Sequence, residues 1–181
     1  MSHGKPGERV LCDVTREVGV EFKNDWPDEA RAAVEPYVDA LVARLPRWVR
    51  SLHLEWDSTD GDNTAKVWTN TRNRWANVTV CAQWLDLVEA ERWNTLVHEL
   101  VHIYMDGMAQ AFKTAVGQLG DEAAREIAKR WFRDAEEQTV TDLADMIVKM
   151  LPGPHGAEKA ARIAGASVDL LKQVDSKTAQ L

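Results

Sequence analysis

The spacing of apolar residues changes along the chain, and the change divides it into a strand-rich part and a helical part. From Asn77 to Trp84 apolar and polar positions alternate, with Val78, Val80, Ala82 and Trp84 on one side and Asn77, Thr79, Cys81 and Gln83 on the other. That pattern predicts a half-buried strand. Trp48 to Trp56, where Trp48, Leu52, Leu54 and Trp56 fall two or four apart, and Thr64 to Thr69 predict two more, separated by the turn-rich run Asp57 to Asn63. The three form a small sheet, antiparallel or mixed. Asp86 with Glu89 reads as a capping box that opens a helix over about Leu87 to Asp106, stopped by Gly107. A short helix over Met108 to Leu119, a longer one over Asp121 to Leu151 and a last one over Ala157 to Val174 follow. Upstream, Pro27 opens a helix reaching about Leu45, in which Pro36 predicts a kink or break and Pro46 marks the end. Val10 to Phe22 is ambiguous and holds at most a short strand, and residues 1 to 8 read as a loose polar lead. Strands first and helices after predict an α+β fold, in a single domain over residues 1–181.

Composition narrows the function. With 45% hydrophobic residues and eight tryptophans the chain can bury a sizeable core. A formal charge of −7 argues against nucleic acid as a partner, because phosphate binding needs a concentrated positive field. Trp68, Arg72, Arg74 and Trp75 interleave rings with cations, yet in so acidic a chain a solvated hairpin loop over packed tryptophans is the better reading. Cys12 and Cys81 are far apart and in no ligand spacing, which fits a reducing cytoplasm. No signal-type or membrane-spanning apolar run is present, so a soluble cytoplasmic protein is expected, with no membrane partner.

The densest chemistry lies in His98-Glu99-Leu100-Val101-His102, an HExxH pattern. Residues four apart share a helix face at about 6 Å, so both imidazoles can reach one Zn²⁺ at roughly 2 Å. Glu99, about 100° around the helix, is left free to hold a water and take its proton as that water attacks a carbonyl. With His98 at zero, Trp93, Leu96, Val97, Leu100, Val101, Ile103 and Tyr104 fall at about 140° to 300°, whereas His98, His102 and Glu99 fall at about 0° to 100°. The two histidines therefore sit beside the apolar stripe and do not interrupt it, as core histidines would.

A catalytic zinc needs a third protein ligand. With Phe132 at zero, Glu136 falls near 40°, among Ala135, Thr139, Val140, Leu143, Met146, Ile147 and Met150, while Glu137 falls near 140°, toward the edge. The phase favours Glu136, since an unpaired carboxylate on an inward face is costly without a metal or an arginine. Glu137 and His155, in the loop Pro152 to Gly156, remain alternatives, and Asp106 reads as a more distant neighbour.

On these residues the chain resembles the zincin metallopeptidases, and within them the Glu-zincin branch, whose third ligand is a Glu on a helix after the HExxH helix. More closely, the succession of a strand, Trp84-Leu85-Asp86, Leu96 to His102 and Glu136 to Ala144 is similar to small phage and bacterial metallopeptidase-like proteins related in pattern to the repressor-cleaving ImmA/IrrE group. The likeness covers roughly residues 48 to 150. It implies a zincin-like fold, bound zinc and hydrolysis of peptide bonds, with His98 and His102 as ligands, Glu99 as general base, and Glu136 or Glu137 as third ligand. Val140 and Thr141 stand where thermolysin-like enzymes carry an Asp. The expected protein is a zinc metallopeptidase acting on a peptide or protein substrate; the alternative is a zinc-binding regulatory or interaction protein of the same fold with little or no peptidase activity.

Overall fold

The computed structural model describes residues 8–13, 16–150 and 153, and the predicted helix over Ala157 to Val174, His155 and the lead over residues 1 to 7 lie outside them. The fold is α+β. Its elements are β1 (Glu8–Asp13), β2 (Arg16–Phe22), α1 (Asp28–Val42), β3 (Ser51–Asp57), β4 (Ala65–Asn70), β5 (Trp75–Cys81), a 3-10 turn (Ala82–Asp86), α2 (Glu89–Gly117) and α3 (Glu122–Met150).

The strands form one mixed sheet in the order β1-β2-β3-β5-β4. β2, β3 and β5 run parallel, while β1 and β4 are antiparallel to their neighbours at the two edges. The parallel centre follows from the connections: α1 carries the chain from β2 to β3, and β4 carries it out to the edge and back from β3 to β5. Period-two burial aims Val18 and Val20, Leu52 and Leu54, and Ala76, Val78 and Val80 into one core. Val34, Tyr37, Val38 and Leu41 of α1 and Trp93, Leu96, Val97 and Leu100 of α2 fill it from above.

Three local expectations are revised. Val10 to Phe22 forms two paired strands, β1 and β2. The strand expected over Asn77 to Trp84 leaves the sheet at Cys81, and Trp84 is buried from the 3-10 turn, set edge-on to Tyr37 at 5.7 Å with its Nε1 donating to the Arg92 carbonyl at 3.3 Å. The cap of α2 is Val88, whose N–H donates to the Glu91 carboxylate at 3.3 Å, in place of the Asp86 and Glu89 pair.

Two helix breakers are overridden by packing. α1 continues through Pro36 because Val34, Tyr37, Val38 and Leu41 bury the faces on either side of it. α2 continues through Gly107 to Gly117, so the separate helix expected after it is the same helix. A mid-helix glycine costs about 1 kcal/mol, which burial of Ala109 and Val116 and the stacking of Phe112 on Phe132 offset. α3 begins as expected, with Asp121 Oδ1 accepting the Ala123 and Ala124 N–H groups at 2.8 and 3.2 Å. α2 and α3 pack as a long hairpin, and α2 also lies against β4. No helix among the described residues is long and apolar enough to cross a membrane.

Candidate metal centre

α2 presents its apolar stripe to the core and its flank to an open cleft of about 1150 Å³ bounded by β4, α2 and α3. His98 and His102 stand on that flank, one turn apart. Their Nε2 atoms are 3.2 Å apart. From α3 the Glu137 carboxylate approaches both, with one oxygen 3.5 Å from His98 Nε2 and the other 3.6 Å from His102 Nε2. Among the described residues, His98, His102 and Glu137 are the group whose donor atoms converge, all lying within 4.8 Å of one another.

Glu136 is on the other side of His102, with its carboxylate 3.8 Å from Nδ1. The difference from the phase argument has a geometric origin. The fully buried residues of α3 are Val140 and Ala144, at about 80° and 120° on the wheel where Glu136 is at 40° and Glu137 at 140°. The seam therefore runs between the two carboxylates, and Met146 and Met150, counted with the inward face, are exposed. Glu136 is the more buried of the pair, at 18% side-chain exposure against 54%. The converging donor comes from the exposed rim because the cleft opens there.

Donor chemistry and spacing fit zinc. Four ligands about 2.1 Å from the ion at tetrahedral angles stand roughly 3.4 Å from one another. The two imidazole nitrogens are 3.2 Å apart, and the two Glu137 oxygens approach them at 3.5 and 3.6 Å, one oxygen to each ring. With one donor atom per residue the three lie within 4.8 Å of one another, so a bound ion would draw the carboxylate in slightly. Burial, then the neighbouring His102, lower the His98 pKa, and Glu137 opposes them; the net effect favours the neutral imidazole that a metal requires. Glu99 lines the same cleft but is buried, at 7% exposure. Burial, reinforced by the Glu137 charge, pushes its carboxyl up to about 8.

Two further features escaped the sequence reading. β4, at the sheet edge, forms the opposite wall of the cleft; that Thr64 to Thr69 forms a strand was legible, its edge position was not. Asn94, one turn before His98, also lines the cleft, and its Oδ1 is buried without a hydrogen-bond partner among the described residues while its Nδ2 faces Asp145 Oδ1 at 3.4 Å. The i−4 spacing from His98 was the available signal. No family model, curated protein or solved structure matches the chain.

Proposed function

We propose that this protein is a zinc-dependent metallopeptidase of zincin-like architecture. The observation that carries the reading is the convergence of His98 Nε2, His102 Nε2 and the Glu137 carboxylate, donors of the kind zinc takes and within 4.8 Å of one another, on the wall of an open cleft with a buried carboxylate one residue away. His98, His102 and Glu137 would hold the ion. Zinc bound there would polarise a peptide carbonyl and acidify water. Glu99 is the group in the cleft placed by position to take a proton from an attacking water and return it to the leaving amine, and the charge of a bound ion would oppose the burial that raises its pKa. Glu136, beside His102 Nδ1, favours the tautomer that carries its proton on Nδ1 and so keeps Nε2 free to bind metal. An extended peptide would lie along β4, whose outer side pairs with no other strand among the described residues and can add main-chain hydrogen bonds to the substrate.

The test is zinc content measured beside hydrolysis of a peptide library. Wild type is expected to carry close to one zinc per chain and to cleave. His98→Ala and His102→Ala are expected to lose both. Full zinc retention in both variants would refute the ligand assignment, and stoichiometric zinc without cleavage of any peptide would favour the regulatory alternative.

A further inference from the structure

The cleft extends beyond the metal centre, between α2 and α3, and its charge there is opposite to that of the protein. The chain carries −7 overall. Yet this arm is lined by Lys113 of α2 and by Arg125, Lys129 and Arg133 of α3, while the acidic residues of the cleft outside the centre are Asp106 on α2 and Asp62 just before β4. Arg125, Lys129, Arg133 and Glu137 follow at intervals of four, so the cations form a row along one face of α3 that leads to the centre. Arg125 and Lys129 pair with Glu122 and Glu126, which are exposed neighbours on the same helix, and such pairs are weak. Lys113 and Arg133 make no ion pair within 4 Å among the described residues, although Arg133 lies near enough to Glu126 to help hold its carboxyl charged. Lys66, on the opposite wall, is held by Asp57 and Asp60 at 3.0 and 3.1 Å.

The floor beside Lys113 and Arg133 is apolar. Phe112 and Phe132 stack with centroids 4.0 Å apart and planes 10° from parallel, and Lys113 and Arg133 each directly follow one of these rings. A low-dielectric floor strengthens the field of the charges beside it. One helical step of four residues is about 6 Å, close to two residues of extended chain. Arg133 thus lies about two substrate residues from the centre, and Arg125 about five.

We propose that this arm is a subsite for carboxylate side chains, so that the substrate is a peptide segment bearing Asp or Glu from about the second residue beyond the scissile bond. The proposal rests on the peptidase reading for the word substrate. The binding it asserts can be measured separately.

Hexaglutamate carrying rhodamine as an amide on its N-terminus and amidated at its C-terminus, so that neither terminus is charged, is titrated against the full chain by fluorescence anisotropy, with zinc and with EDTA, beside hexalysine with the same label and ends. Wild type is expected to bind hexaglutamate more tightly than hexalysine, against its own net charge, with affinity falling as salt rises. Lys113→Glu/Arg133→Glu is expected to weaken it by about tenfold or more, and Lys113→Gln/Arg133→Gln by less, both with unchanged circular dichroism. Arg47→Glu/Arg50→Glu, the same charge change away from the cleft, is expected to leave it unaltered. Equal binding of the two peptides to wild type, or equal loss in the Arg47/Arg50 control, overturns the subsite. Failure of the wild type to bind added zinc, with hexaglutamate binding intact, overturns the peptidase reading and leaves the cationic subsite standing.

Discussion

At the scale of single residues, the centre separates roles that look alike in sequence. Glu99 and Glu137 are both carboxylates beside His98, but one is buried without converging on the ring nitrogens and the other is exposed and does. Glu99→Gln is therefore expected to keep zinc and fold while hydrolysis falls by about 10²- to 10⁴-fold; equal turnover in variant and wild type would remove it as the base. The same residue gives a pH signature in metal-free protein. Its carboxyl, at about 8 when folded against an ordinary 4.5, holds a proton that the unfolded chain has released. Its contribution to stability is thus complete below pH 4.5 and is lost as pH rises through about 8. Relative to Glu99→Gln, metal-free wild type is expected to lose stability across that interval with a slope approaching about 1.4 kcal/mol per pH unit, read from urea unfolding. Parallel pH profiles for the two would show that Glu99 is not held in this way. For the third ligand, Glu137→Ala is expected to release zinc to a weak chelator, and Glu136→Ala to weaken affinity by the smaller factor, about 10- to 100-fold, typical of a residue that orients a ligand. The reverse ranking would return the ligand role to Glu136. His98, Glu99 and His102 were legible in sequence because helical spacing alone brings them together, whereas choosing between Glu136 and Glu137 needed the direction of α3's seam, which a wheel centred on Phe132 misplaced.

At the scale of elements, local signals were read correctly wherever packing agreed with them. Asp121 caps α3 as its sequence predicts, and Val78 and Val80 turn inward as alternation requires. Gly107 predicts a stop and Pro36 a kink or break because their propensities are unfavourable, and apolar faces that continue past them carry both helices through without a break. This makes Gly107 a point where α2 carries an avoidable cost. A Cβ built there meets nothing within 4 Å. Gly107→Ala is expected to stabilise the protein by about 0.5 to 1 kcal/mol with zinc affinity unchanged, measured by denaturant unfolding. A destabilised Ala variant would mean that the helix does not run unbroken through this position. The continuity matters for the site, because the same helix carries His98 and His102 at one end and Phe112 and Lys113 at the other, so centre and cationic arm share one rigid wall.

At the scale of the whole molecule, the sheet holds α1 and the first half of α2 firmly, and α3 far less so. Pairing of β2 with β3 and of β3 with β5 was invisible in sequence, since a two-residue period fixes which face is buried and says nothing about which strand lies alongside. α3 spans 29 residues, yet only Val140 and Ala144 of it are buried. Leu143, Ile147 and Val148 pack partly buried beside them and Phe132 stacks on Phe112, so α3 is held chiefly by α2, and Glu137 lies where a crosslink between the two would add to that hold. A metal held by two residues of α2 and one of α3 binds the docked arrangement and not the separated one, so it stabilises by mass action, by about 2.7 kcal/mol at a hundredfold excess over its dissociation constant. Zinc added to metal-free protein is expected to raise Tm in a concentration-dependent way and to slow amide exchange around Val140 and Ala144 more than in the strands. In His98→Ala and Glu137→Ala both effects should vanish together. A Tm shift that survives in Glu137→Ala would show that α3 takes no part in holding the ion, and the centre would then have to be completed from another part of the chain.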